Sequence, residues 1–180
     1  MTSRRRTWAL GFVLSTASLA CGGPPAKGGG EEALSVHSVE LGRLRGGWSG
    51  TYVFVDPASG QENSWSTIAS AKLARADRRE KGFVLHVEHP DRPGKGHDLD
   101  FSLAESGHVL GGTRVVEKTV VPRGPLHVVT EERGTDDVTG KPAAIKRVLD
   151  VDGASLSFAT YVKSGTERRF VLRSVYKLAR

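Results

Sequence analysis

His86, Glu88 and His89 form an H-x-E-H run, and His97, Asp98 and Asp100 follow one turn later. These residue types hold metal ions or move protons, and their spacing decides which of these they can do. On a helix an H-E-x-x-H run points both histidines to one side. On a strand the side chains alternate, so His86 and Glu88 share a face and His89 leaves it. If residues 82–89 and 97–104 pair as a hairpin, His86 or Glu88 faces Asp98 or Asp100 across the outer surface, and the group reads as a solvated polar face rather than a metal centre. Ser155 and Ser157 alternate along a strand with no recognisable base, and no G-x-S-x-G elbow occurs. The adjacent carboxylates Glu131 and Glu132, and Asp136 and Asp137, look like turn and solvation chemistry. Gly28, Gly29 and Gly30 precede no β-α unit and cradle no phosphate. The reading is therefore of a protein without catalytic residues, metal site or cofactor, and not of an enzyme.

The elements that would position these residues are strands. Leu99, Phe101 and Leu103 alternate with Asp98, Asp100 and Ser102; Phe83, Leu85 and Val87 alternate with Val84, His86 and Glu88. That period of two predicts strands with one wet face. Similar runs place strands near 50–56, 65–74, 82–89, 97–104, 108–121 with a bend at Gly111 and Gly112, 125–132, 144–151, 154–162 and 167–178. Turn-forming stretches such as "DPASGQEN", "HPDRPGKG", "GTDDVTGKP" and "VDG" separate them. Residues 66–81 are rich in alanine and charge. Their apolar stripe of Ile68, Ala69, Leu73 and Ala76 is thin for a helix over 66–80, so a strand is the preferred reading. Residues 33–45 carry Leu34, Val36, Val39, Leu41 and Leu44 as a short helix or turn suited to plugging one end. The fold predicted is all-β: an antiparallel up-and-down barrel of eight or nine strands, whose closure removes exposed edges.

Gly46, Gly47, Trp48, Ser49 and Gly50 open the first strand, and this G-x-W core resembles the start of lipocalin-like (calycin) barrels. The resemblance implies that Trp48 packs across the closed end of the barrel under an arginine from the last strand. Arg173 and Arg180 are the candidates, through cation–π contact. It also implies a small apolar or amphipathic ligand between inward side chains, with Phe54, Leu85, Phe101 and Phe158 lining the cavity. The alternative is a barrel filled by those same side chains, whose outer face meets another envelope protein.

Arg4, Arg5 and Arg6 precede an uncharged stretch over residues 8–20, which has the length of an export signal and is short for a membrane span. Ala20 and the chain's single cysteine, Cys21, end it. "SLAC" resembles the cleavage site of bacterial lipoproteins. In that family the thiol takes a diacylglycerol and the leader is cut before it, so Cys21 is the lipidation site that the resemblance implies. Gly22 after the cysteine resembles lipoproteins passed to the outer membrane, facing the periplasm. The domains expected are a signal peptide over 1–20, lipidated Cys21 and a flexible linker over 21–34, and one barrel over 35–180. The membrane partner is reached through the lipid anchor. Net charge is +6, but without the three leader arginines the balance falls to 23 basic against 20 acidic residues. The remaining cations are mixed with anions and form no stripe for a nucleic-acid backbone.

Overall fold

The structure, a computed structural model, describes residues 34–74, 82–165 and 167–180. The expected leader, Cys21 and all of the linker but Leu34 lie outside the described residues, as does the 75–81 part of the segment weighed between helix and strand. A helix α1 (Ser38–Leu41) and a 3-10 turn (Gly42–Leu44) lead into eleven strands. These are β1 (Gly46–Val55), β2 (Glu62–Ala74), β3 (Gly82–Glu88), β4 (His97–Phe101), β5 (Leu103–Ala104), β6 (Val109–Leu110), β7 (Thr113–Val120), β8 (Leu126–Thr135), β9 (Pro142–Val151), β10 (Ser155–Ser164) and β11 (Val171–Ala179). The sheet order is β4-β3-β2-β1-β11-β10-β9-β8-β7-β6-β5. Every neighbour in it is antiparallel, and β1 pairs with β11. Sequential strands thus pair around a nearly closed, up-and-down barrel whose two edge strands, β4 and β5, are joined through Ser102.

Eleven strands arise where nine were expected because two of the nine break. Asp100 takes the Ser102 N–H at 2.8 Å and its hydroxyl at 2.9 Å, removing that amide from the ladder and dividing 97–104 into β4 and β5. Gly111 and Gly112, at φ +54° and +76°, turn β6 back on β7; two positive φ values in succession suit glycine in a tight hairpin. The segment that resisted assignment is strand as far as Ala74, paired to both β1 and β3.

The two ends of the barrel differ. At the end where β1 begins, the 35–45 segment crosses the opening, and Val36, Leu41 and Leu44 are buried beside Trp48, Leu126, Val151 and Leu178. Val39, expected to join them, is 82% exposed because it falls on the opposite side of the short helix. Val36 N–H bonds to Gly107 O at 2.9 Å, and a side chain at Gly107 would collide with the Val36 backbone. Glu40 accepts from the His37 N–H and from Lys118 Nζ (2.8 and 2.9 Å), tying the plug to β7. Trp48 Nε1–H donates to Leu44 O at 2.9 Å, and the Arg180 guanidinium stands 4.2 Å from its ring centroid. Of the two candidate arginines, Arg180 is the one that stands over Trp48. Arg173 is not its partner: Ser49 pairs with Ala179 and Phe54 with Ser174, which puts Arg173 near the far end of the ladder.

Candidate functional site

The far end is a mouth. Loops 56–61, 89–96 and 136–141 surround it, and among the described residues no segment crosses it. The alternation of β1 sends Tyr52 and Phe54 inward above Trp48. Their cross-strand partners on β11 are Tyr176 and Ser174, and β10 adds Phe158 and Thr160 in the same two rows. These side chains wall a cavity of about 270 Å3, completed by His97, Leu99, Ile145, Arg147, Arg173 and Asp136. A larger, more open depression of about 410 Å3 runs over the outer face by Ser49, Ser157 and Lys177. It is a shallow stretch of sheet surface, and the mouth is the place where aromatic and polar groups converge.

One wall is aromatic. Tyr52 packs on Tyr176 at 4.5 Å between ring centroids and stacks on Trp65 at 5.2 Å. The His97 and His89 rings continue the row, 5.9 Å apart. Tyr176 OH and His97 Nε2 are hydrogen-bonded at 2.7 Å. Buried His89 meets Thr67 Oγ1 through Nδ1 at 3.2 Å. Burial, with the neighbouring Tyr52 adding to it, pushes the Tyr176 phenol far above its ordinary range. Burial also raises Tyr52, against a hydrogen bond with Ser174. Both phenols stay protonated at neutral pH, so this wall offers π faces and neutral O–H groups, and no phenolate base.

The other wall is ionic but internally balanced. Arg173 Nη2 donates to Asp136 Oδ2 at 2.9 Å, and Arg147 Nη1 donates to Glu132 at 2.5 Å and to Thr113 Oγ1 at 3.1 Å. Asp136 is 3% exposed. Burial alone would raise its carboxyl, but Thr139 Oγ1–H, the Val138 N–H and Arg173 together hold it below the usual carboxylate range. Its loop repeats the 56–61 hairpin: Asp136 N–H to Lys141 O and Gly140 N–H to Asp136 O measure 2.9 and 2.8 Å, as do Asp56 to Gln61 and Gly60 to Asp56. The difference is Arg173, which binds one aspartate directly. Among the described residues, Arg173 Nε is a buried nitrogen without a hydrogen-bond partner.

Of the four expected cavity residues, Phe54 and Phe158 line the mouth. Leu85 and Phe101 do not: they are 0% and 1% exposed in the filled lower half, where Phe101 meets Phe158 edge-on at 5.1 Å. Their inward direction was legible, but their height along the barrel axis was not. Tyr52, Tyr176, His97, Arg147 and Arg173 were missed as a group; the available signal was polar residues at inward strand positions for all but Arg173, which lies out of phase where the β10–β11 register shifts.

The histidines of the outer surface pair across strands. His86 faces Asp98 in register, with Nδ1 to Oδ1 at 2.7 Å, and Nε2 lies 3.4 Å from Glu88. The hydrogen bond to Asp98 is the main cause that raises the His86 pKa. His127 makes the same contact with Asp150 at 2.6 Å. Among the described residues no three His, Cys, Asp or Glu side chains converge to hold a metal.

No protein-family model matches the chain, and no curated protein does. Among solved structures, the chain is similar to the crystal structure of Rv2717c from M. tuberculosis, at 14% sequence identity and a TM-score of 0.43. The alignment covers 81% of this chain and 98% of that one. The architecture itself stands on the strand pairing described above.

Proposed function

We propose that the protein is a lipid-anchored binding module of the bacterial cell envelope, which holds a small amphipathic ligand in the mouth of its barrel. The observation that carries this is the cavity of about 270 Å3 with an aromatic wall on one side and polar groups on the other. Such a lining suits a molecule with an apolar body and a hydrogen-bonding head, and the volume, just below the range of about 300–1,000 Å3 usual for small-molecule pockets, points to a small one. Because both arginines are already bound to carboxylates, a neutral or zwitterionic head is favoured over a simple anion. The filled-barrel alternative, with an envelope protein as partner, draws its support from the packed half around Leu85 and Phe101. The anchor rests on Cys21 at the end of the apolar leader, and outer-membrane placement on Gly22.

Two experiments test the two halves of the reading. Mass spectrometry of an organic extract, from protein purified without detergent beside an unrelated barrel, is expected to find a stoichiometric small molecule absent from the control. A clean extract would turn the reading toward the filled barrel. Cells fed labelled palmitate are expected to label the wild type and not Cys21→Ser; equal labelling, or none in either, would remove the anchor.

A further inference from the structure

The closed end carries a surface that neither the plug nor the cavity uses. Val120, Val121 and Pro122 lead out of β7 into a turn, and Val121 is 45% exposed. Val39, 82% exposed, stands on the same side. Arg45 and Arg123 flank these apolar groups, with Arg180 behind them. Arg43 holds the turn rigid: its guanidinium donates to Gly124 O at 2.9 Å, Val121 O at 3.0 Å and Glu40 O at 3.1 Å. Among the described residues, two nearby anions are engaged elsewhere. Glu40 is bound to Lys118, and Asp152 accepts from the Ala154 and Ser155 N–H groups at 2.7 and 2.6 Å. Arg123 itself sits at φ +57°, a left-handed conformation where glycine would be at ease. A long, exposed cation is held there at a backbone cost.

We infer that this end of the barrel docks on an anionic phospholipid surface, the valines and Pro122 entering the headgroup layer and Arg45 and Arg123 meeting lipid phosphates. Apolar side chains at a tip ringed by arginines match the chemistry of that interface. The chain also enters the barrel here: Leu34 leads straight into the plug. Twelve residues lie between Cys21 and Leu34, a span of at most about 45 Å, so a lipid on Cys21 would keep this end near the bilayer. The mouth then opens away from the membrane, toward the aqueous space. The orientation rests on the proposed anchor; the affinity for lipid does not.

The test uses residues 21–180 with Cys21→Ser, which removes any acyl chain and keeps every strand pairing. Co-sedimentation is measured with vesicles of phosphatidylcholine alone and of equimolar phosphatidylcholine and phosphatidylglycerol. The mixed vesicles are expected to bind the protein, the neutral ones not, and binding should fall as salt rises. Arg123→Gly, which relaxes the backbone, should weaken binding by about fivefold without lowering the melting temperature. Lys141→Gln, the same charge change at the mouth, should leave it unaltered. Equal binding to both vesicles, no binding to either, or an equal loss in Lys141→Gln would overturn the inference. Because the protein tested carries no lipid, the result is separate from palmitate labelling at Cys21.

Discussion

The two ends of the barrel are built from the same devices and do different things with them. Each has a tryptophan under an arginine: Trp48 with Arg180 at 4.2 Å, and Trp65 with Arg92 at 4.3 Å. Each has a shielded ion pair, Glu40 with Lys118 and Asp136 with Arg173. At the closed end a chain segment crosses the opening, so these groups are locked into a core that includes Val36, Leu41 and Leu44. At the mouth no described segment crosses, and Asp136 and Arg173 line a cavity. On the proposed reading, mutations at the closed end should cost stability and leave ligand retention by the folded protein alone, whereas mutations at the mouth should change ligand retention and cost less stability.

The largest effect is expected at Trp48. Trp48→Ala should cost about 4 kcal/mol, from lost burial, the cavity left behind and the stranded Leu44 carbonyl. Trp65→Ala, half-buried, should cost about 1 kcal/mol; urea unfolding of both measures the asymmetry, and equal losses would break it. Next come the ion pairs. Lys118→Ala should cost about 3 kcal/mol because Glu40 stays behind, shielded and unpaired, with ligand retention by the folded fraction unchanged. Asp136→Asn should lower both stability and ligand retention, since it frees Arg173 inside the mouth.

Asp136 also sets an acid limit. Its folded carboxyl lies below its unfolded value, so its contribution is complete above about pH 4 and is lost as pH falls through the folded pKa. Thermal melts from pH 6 down to pH 2 should therefore bring wild type and Asp136→Asn together at the acid end. The smallest effect belongs to the outer face. His86 has a raised folded pKa, so its bond to Asp98 contributes fully below about pH 6.5 and is lost as pH rises through the folded value. The melting-temperature gap between wild type and Asp98→Asn should shrink as pH is raised across that window; a gap that widens would refute the assignment.

The strands were readable because alternation and turn residues are local signals. So were the plug, apart from Val39, and the meeting of His86 or Glu88 with Asp98 or Asp100 across a hairpin, whose register selects His86 and Asp98. What could not be read was register between strands far apart in sequence. Arg173 and Arg180 both lie at or beside β11, and only the Ser49 to Ala179 pairing decides that Arg180 reaches Trp48. Asp136 and Arg173, 37 residues apart, meet for the same reason. The mouth brings together β1, β4, β8, β9, β10 and β11, so its lining depends on how each strand is displaced along the barrel axis. Leu85 and Phe101 show the consequence, correct in direction and wrong in level.

The most direct test of ligand binding at the mouth compares organic extracts from wild type and Ser174→Phe, a substitution that fills the cavity beside Phe54 without touching the plug. The account predicts a stoichiometric small molecule in the wild-type extract and its loss from Ser174→Phe at a similar melting temperature. A molecule retained equally by both proteins, or found in neither, would contradict it.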